Sequence, residues 1–267
     1  MDVRSAVAAG QPGLGVESVV LVGEGVDHFA YEINNDLIVR MSKAPDPEQT
    51  DREARLLTLV AEVSPVPVPT PVFVLAEQGC LAYRKLAGTP LLDLAVPVHP
   101  AALTGLLAAL HAVPAARVEG LVEVDDLPLA EWLREAVATY PAVAGDLPAP
   151  FRGRVEAFLD TAPPPDGDTL VFSHNDLGIE HVLVDAAGEV TGVIDWSDAA
   201  LVDPACDLGR LFRDLGPAAL PGDPSLRDRA VFYARCGVLE DLAYGLEAGR
   251  IKYVEKSLRA LGWLFPL

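Results

Sequence analysis

Between Val171 and Leu208 the chain reads VFSHNDLGIEHVLVDAAGEVTGVIDWSDAALVDPACDL, and His174, Asp176, His181, Asp195 and Asp207 interrupt an otherwise apolar, turn-punctuated frame. Carboxylates and imidazoles among apolar strands are costly unless something binds them, so their recurrence here points to chemistry. VFSH, HVLVD and VTGVIDW are short β-branched runs bounded by Asn, Asp and Gly, the pattern of half-buried strands. AAGEV, with Gly188, supplies a hairpin turn, and strands joined that way are antiparallel neighbours. The hairpin therefore brings Asp195 back beside Asp176 and His181. Such a cluster suits phosphoryl transfer, in which one Asp accepts the proton of an attacking hydroxyl. A second Asp, with a residue five positions after the first, then holds the magnesium ions that neutralise a triphosphate. Asp176 is the candidate base, and His181 and Asp195 are the candidate metal ligands. Mg²⁺ prefers oxygen, whereas an imidazole suits softer ions, so the pair predicts tolerance of Mn²⁺. A hydrolase built on Ser173, His174 and Asp176 lacks a nucleophile elbow.

HNDLGIEHVLVD followed by GVIDWSDAALVDP resembles the aminoglycoside phosphotransferase family of kinase-like antibiotic enzymes. His-Asn-Asp, the His at 181 and IDWSDAA point to its 2″-phosphotransferase branch. The resemblance implies an α+β, protein-kinase-like fold of two lobes: a small antiparallel sheet with one main helix, then a larger, mostly helical lobe carrying a catalytic hairpin. It implies that Arg40, where the family often has Lys, is the phosphate-pairing cation in preference to Lys43, and that Glu53 is its helix partner. YRKLAGTPL resembles the hinge, at about residues 83–88. Tyr83 would stand as gatekeeper at the back of the base pocket, and the main chain of Arg84 and Leu86 would hydrogen-bond the purine. His174 looks structural, bracing the loop through Asp207. Members of the 2″ branch use GTP, so both ATP and GTP are expected donors.

Other elements must position these residues. Val16–Gly23, Phe29–Ile33 and Leu37–Met41 read as a β-meander, the last two strands joined through Asn34, Asn35 and Asp36, which tolerate tight hairpin turns. Gly23 and Gly25, between the first two, allow backbone amides to approach phosphate oxygens. Asp46-Pro47-Glu48-Gln49 marks a helix start, and the helix should run to about Glu62. Val72–Ala76 and Cys80–Leu86 complete the sheet. Gly88 and Pro90 mark a composition shift, which divides the chain into a nucleotide-binding lobe, 1–87, and a catalytic and substrate-binding lobe, 88–267. From Pro100 onward the periodicity is helical: Leu103, Leu106, Leu107 and Leu110 share one face, and Leu129, Trp132, Leu133, Ala136 and Tyr140 another. Substrate choice should lie in the helical lobe. Asp198, Glu240, Glu180 and Asp241, with Glu247 and Glu255 behind them, are candidate contacts for ammonium groups, and Tyr244, Tyr253 and Trp263 are candidate walls. EDLAYG resembles the family's substrate helix.

The formal charge is −19 over 267 residues, which argues against a nucleic-acid partner and fits either a cationic small substrate or simply a solubilising surface. Three well-separated cysteines suggest neither a disulfide framework nor a zinc site, consistent with a reducing, cytoplasmic location. The amino terminus lacks an apolar leader core and no run approaches about 18 apolar residues, so neither secretion nor a membrane partner is expected. A monomer is expected. The leading reading is a kinase that phosphorylates an aminoglycoside hydroxyl and so confers antibiotic resistance. Kinases of the same fold for a macrolide, choline, homoserine or a sugar remain alternatives, as does a nucleotide-binding pseudokinase or interaction module.

Overall fold

The computed structural model describes residues 2–94, 96 and 98–267. A five-stranded antiparallel sheet forms the first lobe, in the order β1-β2-β3-β5-β4: β1 is Val19–Glu24, β2 His28–Ile33, β3 Leu37–Ser42, β4 Pro71–Leu75 and β5 Cys80–Arg84. Asn34 and Asn35 close the β2–β3 turn in the left-handed region, at φ 53° and 55°. Strand β1 starts at Val19 instead of Val16 because the Asn34 carboxamide accepts the Glu17 and Ser18 amides at 2.8 and 3.0 Å. Helix α2, Pro47–Val63, begins where Asp46 accepts the Glu48 and Gln49 amides. A short helix, α1 (Val3–Gly10), has no counterpart in the sequence reading. Asp2 caps it, and Ala6 and Val7 join Ile33, Val39 and Phe73 in the core of the sheet lobe.

The second lobe carries helices α3 (Ala101–His111), α4 (Ala115–Val118), α5 (Leu129–Val143), α6 (Ala149–Leu159), α7 (Ala205–Leu215), α8 (Pro224–Glu247) and α9 (Ile251–Leu264). The apolar stripe of α3 is fully buried at Leu103, Leu106, Leu107 and Leu110, and that of α5 is buried at Leu129 and Ala136 and half-buried at Trp132, Leu133 and Tyr140. Strands β9 (Val182–Val184) and β10 (Val190–Val193) form an antiparallel hairpin, turned at Gly188, and the two-residue strand β6 (Thr89–Pro90) extends it. VFSH does not join this hairpin. Its strand, β8 (Val171–Ser173), pairs with β11 (Ala200–Val202), which also pairs with β7 (Glu123–Asp125) in a second small sheet. Among the described residues no helix is long and apolar enough to cross a membrane.

The connection between lobes is held at Gly88. Its φ is 112°, and a Cβ there would come 2.2 Å from the Thr191 hydroxyl, which donates to the Ala87 carbonyl at 2.6 Å. Only glycine meets both conditions. One apolar cluster runs from Leu56, Leu57 and Val60 of α2 through Leu103 and Leu107 to Val182, Val193 and Trp196, so the β9–β10 hairpin rests on the same core as α2.

Candidate active site

Residues 174–181 connect β8 to β9 and are pinned at nearly every backbone amide. Asp207, in the first turn of α7, accepts the Ser173 hydroxyl at 2.7 Å, the Asn175 amide at 2.8 Å and the Leu177 amide at 3.1 Å. His174 does not bond Asp207, contrary to the sequence expectation. Its Nε2–H donates to the Ile194 carbonyl at 3.0 Å, and its Nδ1 accepts the Asp176 amide at 3.3 Å. The imidazole thus ties the loop to β10, while Asp207 ties it to α7. Burial pushes the His174 pKa down, as suits a neutral ring that donates and accepts at once. Asn175 and Asp195 both have φ of 63°, a conformation uncommon outside glycine that surrounding contacts must hold.

The structure brings Asp176, His181 and Asp195 together. His181 Nδ1 donates to the Asp176 carbonyl at 2.8 Å, Asp176 Oδ2 lies 3.4 Å from that nitrogen, and His181 Nε2 faces Asp195 Oδ2 at 3.6 Å. Burial alone would push the His181 pKa down, but the Asp176 and Asp195 carboxylates outweigh it and raise the value. For Asp195 burial pushes up, and the Ser197 hydroxyl at 2.7 Å, His181 and Arg40 hold the carboxyl below its usual range. With Nδ1 committed to a carbonyl, Nε2 and Asp195 converge as donors close enough to share one ion. No three His, Cys, Asp or Glu side chains meet as a metal site among the described residues. The pair therefore fits a divalent ion whose other ligands are waters and phosphate oxygens, the usual coordination of Mg²⁺ in nucleotide sites. Binding there requires the Nε2 proton to leave. The sequence reading missed Arg210. On α7, one turn from Asp207, it donates to the Asn175 carbonyl at 2.8 Å and stands 3.4 Å from Asp176 Oδ1.

Across the cleft Arg40 pairs with Glu53, each about 15% exposed, and the His28 ring lies 3.5 Å from the same guanidinium. Lys43 is engaged elsewhere. It donates to Glu24 at 2.9 Å and to the Gly25 carbonyl at 2.8 Å, and so holds the glycine loop against β3. The Gly25 amide donates to the His28 carbonyl at 2.9 Å, closing that turn, so it is not a free donor for phosphate as the sequence suggested. Gly23 opposes Ala30 beside a bulge in the β1–β2 ladder. Tyr83 packs at the edge of the shared core, and burial pushes its hydroxyl up to about 12, with Arg40, Asp195 and Glu53 near enough to act on it. The Arg84 side chain pairs with Asp36 on the surface, and Leu86 packs against Gly192 of β10.

On the acceptor side the proposed acids divide. Asp198 opens to solvent on one side, and its partial desolvation together with the Asp176 and Asp195 carboxylates raises its pKa. Glu240 is exposed beside a cavity of about 300 Å³ between α5 and α8, which Trp132, Glu135, Thr139 and Cys236 also line. Glu180 and Asp241 are corrections to the sequence expectation. Glu180 bonds Lys256 at 2.9 Å, and Asp241 lies 3.0 Å from Arg213 and 2.9 Å from Lys256, because these buried cations draw both carboxylates inward. Trp263 is no wall either, since its indole donates to the Phe212 carbonyl at 3.0 Å. Tyr244 and Tyr253 stack edge to face at 5.0 Å, and Glu247 and Glu255 are exposed.

Residues 18–236 match the model of the phosphotransferase enzyme family, and the chain belongs to that family. Among solved structures it is similar to the GDP and kanamycin complex of an APH(2″) enzyme, at 22% identity and TM-score 0.70, over 97% of this chain and 96% of that one. It is also similar to a macrolide 2′-phosphotransferase from Brachybacterium faecium, at 25% identity and TM-score 0.61, over 98% of each. A spectinomycin phosphotransferase follows at 14% identity and TM-score 0.62, over 98% and 96%. The fold is protein-kinase-like, and the chain is a nucleotide-dependent phosphotransferase acting on a small molecule.

Proposed function

We propose that this enzyme transfers the γ-phosphoryl group of ATP or GTP to a hydroxyl of an aminoglycoside, in the manner of the 2″ branch. The observation that carries the chemistry is the convergence of Asp176, His181 and Asp195 opposite the Arg40–Glu53 pair. Support for a cationic acceptor comes from Asp198 and Glu240, carboxylates left open near the site, and from Glu135 across the α5–α8 cavity. In this reading the donor binds in the lobe of residues 1–87 and the acceptor in 88–267. A resident Mg²⁺, or Mn²⁺, held by His181 and Asp195 would neutralise charge on the triphosphate. Asp176 orients the acceptor hydroxyl and takes its proton as the oxygen–phosphorus bond forms. Arg40, aligned by Glu53, pairs with phosphate, and its planar fork allows two hydrogen bonds where a lysine makes point contact. No phosphoenzyme is involved.

Nucleotide hydrolysis without acceptor, compared with hydrolysis in the presence of aminoglycoside and macrolide panels, tests this reading. Acceleration by aminoglycosides with a phosphorylated product supports it. The apolar part of the cavity, Ala136, Ala138 and the Trp132 indole, favours a macrolide as the second reading, and acceleration by macrolides alone would establish that one. Hydrolysis unaffected by either panel leaves both acceptor classes without support.

Two expectations concern the donor. Arg40→Ala should raise nucleotide KM or lower turnover by about 10–100-fold, the range for losing a charged hydrogen bond of roughly 1.5–3 kcal/mol. Lys43→Ala, which loosens the loop without removing the Glu53-aligned cation, should do much less. Steady-state kinetics on the two variants decide it, and the reverse ranking shows Lys43 to be the phosphate partner. With Tyr83 as gatekeeper, Tyr83→Ala should improve ATP use relative to GTP by a discrimination of about 1–3 kcal/mol. Parallel kcat/KM values that leave the ATP-to-GTP ratio unchanged remove Tyr83 from the base pocket.

A further inference from the structure

Behind the catalytic loop lies a buried knot of five charges that none of the roles above uses. Lys256 of α9 is 3% exposed. It lies 2.9 Å from Glu180 Oε2, 2.9 Å from Asp241 Oδ2 of α8 and 3.4 Å from Asp214 Oδ2 of α7. Arg213 of α7 donates to both Asp214 oxygens at 2.8 and 3.0 Å and reaches Asp241 at 3.0 Å. Three helices and one loop thus contribute three carboxylates and two cations. Such a cluster is a poor source of stability, because desolvation offsets most of the attraction and well-packed apolar replacements are often as good. What it holds is the more informative feature.

It holds residues 178–180, immediately before His181. The Ile179 amide donates to Asp214 Oδ2 at 3.2 Å, and the Glu180 side chain, drawn to Lys256, folds back over Gly178. A Cβ on Gly178 would come within 2.5 Å of Glu180 Oε1, so the carboxylate can fold back to this position only because residue 178 has no side chain. The His181 amide in turn donates to the Gly178 carbonyl at 3.0 Å, and the His181 ring donates to the Asp176 carbonyl. The turn that sets both ends of the reacting cluster is therefore fixed from beneath by a lysine 75 residues downstream of His181.

We propose that Lys256 is a positioning residue for phosphoryl transfer, which tethers Glu180 to α7, α8 and α9 and so holds Asp176 and His181 in their working geometry. The proposal rests on the roles given to those two residues above. Small misplacements of reacting groups can cost about 100-fold in rate.

The test compares Lys256→Met, Lys256→Arg, Glu180→Gln and the double variant Lys256→Met with Glu180→Gln in the full-length protein. Readouts are kcat, nucleotide KM, melting temperature and amide exchange at residues 178–181. Lys256→Met should lower kcat about 10–100-fold, leave nucleotide KM within about twofold, and speed exchange in the turn. Lys256→Arg, which keeps the tether, should recover most of the turnover. The double variant leaves the net charge of the knot unchanged, so it should regain melting temperature but neither kcat nor slow exchange. Recovery of kcat along with stability in the double variant shows a purely structural cluster and overturns the proposal, as does unchanged exchange in any folded variant lacking the tether. Should Lys256→Met not fold, Glu180→Ala, which leaves no acceptor oxygen, breaks the same link while Lys256 keeps Asp214 and Asp241, and decides the same comparison. A wild-type protein with no transferase activity would sink the functional reading instead, and the exchange measurements would still judge the tether.

Discussion

Asp176→Asn should bind nucleotide as the wild type does and lose nearly all of its phosphoryl transfer. The asparagine keeps the shape of the side chain and the backbone carbonyl that receives His181, so the loop geometry survives. What it loses is the capacity to accept a proton. The contribution of a positioned general base is about 10²–10⁴-fold, and that is the expected fall in kcat. Measured nucleotide affinity, with and without Mg²⁺, should be unchanged within about twofold. Residual turnover from positioning alone is compatible with the assignment. Full turnover in Asp176→Asn would remove Asp176 as the base. Arg210 and His181 each stand 3.4 Å from one Asp176 carboxylate oxygen, too far for a tight hydrogen bond, so loss of charge should register on transfer more than on folding.

Asp195→Asn should fail for a different reason. Asp195 supplies the charged oxygen donor beside His181 Nε2, and an amide is a weaker ligand for a hard cation. The variant should lose at least about 100-fold in kcat/KM, on the scale of removing one preorganised electrostatic group. Unlike Asp176→Asn, it should also lose the metal dependence of nucleotide binding. Affinity without metal should match the wild type, whereas added Mg²⁺ or Mn²⁺ should strengthen it little. Wild-type enhancement by metal in this variant would exclude Asp195 as a ligand. The strained backbone at Asp195 gives a control, because Asn tolerates the left-handed region about as well as Asp and no separate backbone cost enters.

That Asp176, His181 and Asp195 converge was legible because they are close in the sequence. His181 and Asp195 flank one short hairpin whose Gly188 turn dictates that its far ends meet, and Asp176 stands only five residues before His181 in the adjoining loop. The same holds for the α2 start at Asp46 and for the β2–β3 turn at Asn34, where a few neighbouring side chains decide the backbone conformation. Apolar periodicity likewise suffices for α3 and α5, since a helix of that pattern has one face to bury. Partners distant in the chain were not legible. A carboxylate in a sequence looks the same whether it faces solvent, a substrate or a buried lysine, so Glu180 and Asp241 could be read as open acids until Lys256 and Arg213 appeared beside them. For the same reason the pairing of β8 with β11 could not be read from either segment, and His174 seemed to reach Asp207, although its ring bonds the Ile194 carbonyl. Sequence alone determined which groups could do chemistry and which short turns join them. The tertiary structure decided which charges are spent holding the loop, because the pairing of buried charges depends on which helices pack together.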